Sequence, residues 1–160
     1  MKTRQMAVAL INNQQGEYLF LKKRNDHDFL AGFYVPIGGH IRPEELINVK
    51  QACLREVYEE TGLEQKDLHN VQYKYLLVRY VDDEIRLQYV FTMSTLGTPT
   101  SSEEGDLYWL TSEQLLTRRV TPPIKAMVEH FERDGKETND MFVGTLGTGG
   151  WMQWSTLIDC

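Results

Sequence analysis

The chain has 160 residues, 41% of them hydrophobic and 25% charged, the proportions of a globular protein rather than a disordered or fibrous one. At this length one core can bury most of the apolar surface that the unfolded chain exposes, so a single domain over 1–160 is expected. A formal net charge of −6 argues against a surface of clustered Lys and Arg for a nucleic-acid polymer, and no stretch approaches the length of a membrane span. Any phosphate-bearing partner is then expected to be a small molecule, held where a divalent cation or a local Arg/Lys group reverses the sign of the field. Cys53 and Cys160 form neither a CxxC nor a second pair. This points to a reduced, cytoplasmic chain with no zinc site and no disulfide framework.

In chain order, "MAVALI", "EYLFLKK" and "GFYVPI" are short β-prone runs divided by the turn-rich "NNQQG" and "NDHDFLAG", and they predict three strands. The stretch from Pro43 to Thr61 opens with proline and two glutamates and is followed by Gly62, the asymmetry of a helix. "VQYKYLLVRYV" and "EIRLQYVFTM", separated by "DD", read as a hairpin, and "DLYWL" as a further strand. "TSEQLL" carries a capping-box pattern and opens a short helix. "TPPIKAMVEHFERDG" spaces Ile124, Met127, Val128 and Phe131 as a helix that ends at Gly135. "MFVGTL" and "WMQWSTLI", joined by "GTGG", predict a closing hairpin. Together these elements predict a mixed sheet in an α/β/α layered fold.

The stretch "GGHIRPEELINVKQACLREVYEETGL" (38–63) has its acids at an unexpected place, because carboxylates at a helix C-terminus meet the negative end of the macrodipole. With Glu56 at zero on a helical wheel, Glu60 falls at about +40° and Glu59 at about −60°. Leu54, Ile47, Tyr58, Thr61 and Val57 occupy a broad arc roughly 130° away, the face expected to pack on the sheet. The three carboxylates repel one another by about a few tenths of a kcal/mol per pair, and Arg55, the one cation read on that side, cannot neutralise all three. Clustered hard oxygen ligands suit Mg²⁺ or Mn²⁺. The competing interpretation of "REVYEE" is an ordinary solvated face.

Gly39, then five residues, Glu45, a spacer, and Arg55-Glu56-Val57-x-Glu59-Glu60-x-Gly62-Leu63 resemble the box of the Nudix hydrolases, the family that includes MutT-like nucleotide pyrophosphohydrolases. The spacer runs from Leu46 to Leu54, nine residues, two more than the family pattern. The extra pair is expected to lengthen the loop before the helix or its first turn, and it bears on Glu45 more than on the "REVYEE" segment. The resemblance implies a Nudix-type α/β/α sandwich with a mixed sheet. It also implies metal-dependent hydrolysis of a nucleoside diphosphate linked to another moiety, by water attack at phosphorus. Carried over position by position, Glu56, Glu59 and Glu60 are metal ligands with the Gly39 carbonyl, Mg²⁺ or Mn²⁺ is the cofactor, and Arg55 orients Glu59. A general base is expected from Glu103 or Glu104 in "SSEEGD", with Glu60 and Glu56 as alternatives.

Arg24, Gly38, Gly39 and Glu45 are candidates for substrate binding, with Lys22 and Lys23 beside Arg24 on the second strand. Phe33, Tyr34, Tyr80, Tyr89, Trp109, Trp151 and Trp154 are candidates to stack on a base, though a strand aromatic is more often core. The substrate expected is a nucleoside or deoxynucleoside triphosphate, an oxidised purine among the options. Dinucleoside polyphosphates, ADP-ribose and nucleotide sugars are alternatives: Tyr80 stands where members acting on dinucleoside polyphosphates carry a tyrosine, and Arg79 replaces the proline associated with ADP-ribose. A non-catalytic nucleotide sensor would be expected to lack a box acid, and a prenyl-diphosphate isomerase would need a reactive cysteine, whereas Cys53 faces the packed side. The family resemblance leaves a homodimer open.

Overall fold

The computed structural model describes residues 1–24, 30–100 and 102–159. Part of the expected "NDHDFLAG" turn, and Cys160, lie outside the described residues. Eight strands are described: β1 (Lys2–Asn12), β2 (Tyr18–Lys23), β3 (Tyr34–His40), β4 (Leu68–Val81), β5 (Glu84–Thr95), β6 (Gly105–Leu110), β7 (Met141–Leu146) and β8 (Met152–Leu157). They form one mixed sheet in the order β6-β2-β3-β1-β5-β4-β7-β8. Among the described residues three α-helices flank it: α1 (Val49–Thr61), α2 (Ser112–Leu116) and α3 (Pro122–His130). This is the α/β/α sandwich.

β1 is the axis of the sheet. It runs parallel to β5 from Lys2↔Glu84 to Asn12↔Ser94 and antiparallel to β3 from Met6↔His40 to Ala9↔Ile37. β2 meets β1 only beside their turn, at Asn12↔Tyr18. β3 fills the space between them, with Tyr34 to Pro36 paired to β2 and the following residues paired to β1. The wedge brings Gly38 and Gly39 against Val8 and Ala7, in the middle of the sheet.

The period-2 alternation of strands sends successive residues of β1 to opposite faces. Ala7, Ala9 and Ile11 join Leu19, Leu21, Ile37, Phe91 and Met93 under α1, which adds Ala52, Cys53, Leu54 and Val57. Val8 and Leu10 join Tyr18, Phe20, Tyr75, Leu77 and Val90 under α3, which adds Ile124, Met127 and Val128.

Two details differ from expectation. Pro43–Glu45 forms a separate 3₁₀ turn, and α1 begins after Asn48, whose side chain accepts the Gln51 N–H. Asn is a strong N-cap because its side-chain oxygen satisfies an orphan N–H. Ile47 therefore lies outside the helix and is 96% exposed. The buried face is centred nearer Cys53 and Val57 than the wheel placed it, which leaves Tyr58 exposed and puts Glu60 among the buried residues. The late helix also extends past His130 as a π-helical turn, Phe131–Gly135.

Candidate active site

Arg55 sits at the centre of the acidic cluster. Its Nε donates to Glu45 Oε1 at 2.6 Å and its Nη2 to Glu45 Oε2 at 3.0 Å, a two-pronged pairing that suits a planar guanidinium. Nη1 donates to Glu56 Oε1 at 2.7 Å and Glu59 Oε2 at 3.1 Å, and Nη2 also reaches the His40 carbonyl at 3.1 Å. Every N–H of the guanidinium thus has an acceptor. These bonds, helped by the Arg42 N–H, hold the Glu45 carboxyl down at about 2 against the opposing effect of burial. The bonds to Glu45 likewise raise Arg55 above its ordinary value. The two extra spacer residues leave Glu45 on Arg55, because Leu46 and Ile47 are looped outward ahead of the Asn48 cap. Arg55 is also not alone: Arg42 Nη2 lies 3.5 Å from Glu59 Oε1.

Glu60 is 8% exposed and accepts the Gly38 N–H at 3.1 Å. Burial raises its pKa above the usual carboxylate range. The charge of Glu104 and a side-chain hydrogen bond with it act in the same direction, as does Glu56, against the Gly38 N–H. Two carboxyl groups in hydrogen-bond contact favour one shared proton. Glu104 reaches this position because its loop is clipped to the end of α1. The Thr100 N–H and hydroxyl both donate to the Thr61 carbonyl, at 2.7 and 3.1 Å. Gly62 closes the helix in the left-handed conformation, φ 74°, with its N–H on the Tyr58 carbonyl. These bonds satisfy carbonyls at the negative end of the dipole. Lys23 Nζ lies 3.6 Å from Glu104 Oε2, and Arg24 Nη2 donates to the Ser102 carbonyl at 3.4 Å. Glu103 is exposed.

Gly39 explains its own residue type. A Cβ built there would lie 2.6 Å from the Glu56 carboxyl carbon, so only glycine lets this carboxylate rest on the β3 backbone. At Gly38 a Cβ would collide with the Ala7 carbonyl across the β1–β3 ladder.

Of the aromatic candidates, Tyr34 and Phe33 share their surroundings with cations. Lys22 Nζ lies 5.7 Å and the Arg118 guanidinium 5.9 Å from the Tyr34 ring centre. Arg119 lies 4.6 Å from the Phe33 ring, and Tyr108 meets Tyr34 edge-on at 5.6 Å. Trp154 instead packs on Tyr75 and His130, and the Tyr89 hydroxyl donates to Gln5. Tyr80 is exposed and bonds Asp83 at the hairpin turn. Trp151 is exposed, next to the β7–β8 turn. Trp109 packs at the edge of the α1-side core. Arg118, Arg119 and Tyr108 were not legible as partners because they reach Tyr34 and Phe33 only through the fold.

A family model described as the NUDIX domain matches residues 1–131. The chain belongs to the Nudix family. Among curated proteins no match was found. Solved structures share the fold. The MutT protein from Methanosarcina mazei Go1 is 24% identical, with a TM-score of 0.72 over 84% of this chain and 96% of that one. The E. coli ORF135 protein is 26% identical with a TM-score of 0.64, covering 82% and 90%. The C. elegans Ap4A hydrolase is 17% identical with a TM-score of 0.63, covering 79% and 95%. The Nudix domain makes this chain a pyrophosphohydrolase, an enzyme class that acts on small-molecule nucleotides and generally uses divalent metal. Among the described residues no helix is long and apolar enough to cross a membrane.

Among the described residues no three His, Cys, Asp or Glu side chains converge on one point, since Arg55 draws Glu56 and Glu59 while Gly38 and Glu104 hold Glu60. The donor set is nonetheless hard oxygen throughout, and the cradle at Gly39 keeps backbone next to the Glu56 carboxylate. Such donors fit Mg²⁺ or Mn²⁺ and not a soft metal.

Proposed function

We propose that this Nudix hydrolase cleaves a nucleoside or deoxynucleoside triphosphate, with oxidised purines among its substrates, into monophosphate and pyrophosphate. The observation that carries the reading is the joint placement of Glu45, Glu56 and Glu59 on one arginine, beside the Glu60–Glu104 pair. Glu56, Glu59, Glu60 and the Gly39 carbonyl would hold Mg²⁺, or Mn²⁺ where that is the available ion. Bound there, the metal neutralises the phosphates and lowers the pKa of the attacking water.

The remaining work falls to the chain's own side chains. Arg55 keeps Glu56 and Glu59 oriented, with Glu45 fixing the guanidinium from the other side. Glu104, against Glu60 and in reach of Lys23, takes the proton from the attacking water. As the new P–O bond forms, the anhydride P–O bond breaks and pyrophosphate leaves. Lys23 and Arg24, beside Glu104 and Ser102, offer charge to the phosphates, whereas Tyr34 and Lys22 lie on the α3 face of the sheet.

The test is turnover of a panel of triphosphates, oxidised purine triphosphates, ADP-ribose and diadenosine polyphosphates with Mg²⁺ and with Mn²⁺, read by coupled phosphatase release. Triphosphates should dominate, and Glu56→Gln should lower their turnover by roughly 10²–10³-fold, the scale for removing one preorganised electrostatic group, without loss of fold by circular dichroism. Preference for diadenosine polyphosphates would move the assignment to that class. Unchanged turnover in Glu56→Gln would remove the box from the chemistry.

A further inference from the structure

On the α3 side of the sheet, away from the box, a lysine is buried with no carboxylate in ion-pair contact among the described residues. Lys74 stands in "YKY" on β4, where simple alternation would pair it with a position opposite. Instead Tyr73 pairs with Phe91 and Tyr75 with Val90, so Lys74 is the extra residue of a β-bulge, a device that re-aims a side chain. A second irregularity lies between His69 and Gln72, with Asn70 at φ 55°. Lys74 is 1% exposed. Its ammonium donates to the Thr138 carbonyl and lies 5.5 Å from the centre of the Phe142 ring. Among the described residues no carboxylate comes within ion-pair distance, and Asp140 acts on it only through its field. A buried charge without an ion-pair partner is costly.

The space beside it is shaped for the missing partner. A cavity of about 200 Å³ opens along Lys74, lined also by the polar side chains of Asn12, Asn70, Thr92, Thr138 and Asn139 and by no acidic residue. Lys136, on the same wall, already binds Glu132. In a chain of net charge −6, an acid-free pocket with a buried lysine and a ring of amides and hydroxyls suits an anion. Its volume is below the usual range for drug-sized ligands, which limits the occupant to a small one. It is also separate from the box. The glycine pair faces Ala7 and Val8 on β1, whereas this cavity takes Leu10 and Asn12, beyond them on the strand.

We propose that the cavity at Lys74 is a second binding site, for a small oxyanion carrying a phosphate or carboxylate group that pairs with the lysine ammonium and hydrogen-bonds the surrounding amides.

Inorganic phosphate and acetate are the probes, each titrated in metal-free buffer at constant ionic strength and read by melting temperature and by calorimetric binding. A ligand that binds only the native state raises the melting temperature in a saturable way. Such a rise is expected with at least one probe, and the probe that produces it identifies the source as phosphate or carboxylate. Lys22→Ala, at the Tyr34 cluster, should keep the response, and Lys74→Met should lose it. Asn139→Asp gives a second route, independent of the folding of Lys74→Met. It builds a carboxylate into the cavity wall, which should abolish anion binding while raising the melting temperature in the absence of anion. A response that survives both cavity variants, that is lost in Lys22→Ala, or that is absent with both probes overturns the proposal.

Discussion

The two faces of the sheet bury ionisable groups in opposite ways. Under α1, charge is concentrated and cross-linked: one guanidinium serves three carboxylates, and a buried acid leans on another acid. Under α3, the polar pair at the centre of the aromatic core is neutral, and the buried ammonium of Lys74 lies over Phe142 apart from any charged cluster. The Tyr75 hydroxyl and His130 Nδ1 share a hydrogen bond of 2.9 Å, enclosed by Phe142 and Trp154. Net-neutral pairs are cheap to bury and charged clusters are not. The first face therefore concentrates the charge that chemistry can use, and the second holds the sheet together.

If that division is right, substitutions on the two faces should separate rate from stability. The largest effect is expected from Arg55→Lys, which keeps the charge but loses the planar fork. Turnover should fall about 10–100-fold, the usual scale for a residue that orients metal ligands, while the melting temperature changes little. Equal losses of rate and stability would show that the network is a structural strut. Next is Tyr75→Phe, which leaves His130 without its partner. Unfolding in urea should show a loss of about 1–3 kcal/mol, with turnover of the remaining native protein unchanged.

The smallest effect concerns pH. Burial holds His130 below its ordinary value, and Lys74 and Arg133 add to this against the opposing pull of Asp134. An unfolded chain with histidine near 6.5 then binds more protons than the native state, so this contribution to stability is present above about pH 6.5 and is lost as pH falls through the depressed native value. His130→Gln should flatten the stability slope on the acid side by up to about one proton. An unaltered slope would mean that folding does not shift the titration of His130.

Strands and hairpins were legible because turn residues and β-prone runs are local signals. The "REVYEE" cluster was legible because its spacing is local as well. The start of α1 is less legible, since Pro43 is a valid helix opener and only the competition with Asn48 decides which residue caps. Arg42 escaped notice because its reach to Glu59 depends on the 3₁₀ turn. Glu103 and Glu104 are equivalent in sequence, and the clip between Thr100 and Thr61 brings Glu104 to Glu60. "YKY" reads as ordinary alternation, so the bulge that buries Lys74 could not be seen without its partner strand.

The pairing of β1 with β5 joins residues such as Arg4 and Glu84, 80 positions apart, and so has a temporal side. At about 5–20 residues per second on the ribosome, β1 waits roughly 4–16 seconds for its neighbour. During that interval its run of five buried residues, Ala7 to Ile11, can pair with β3 on one side but presents an open apolar edge on the other, the kind of edge that invites pairing with another nascent chain. Yield in the cell should therefore depend on translation speed across 13–95 and on holdase chaperones more than on the equilibrium stability of the finished sheet.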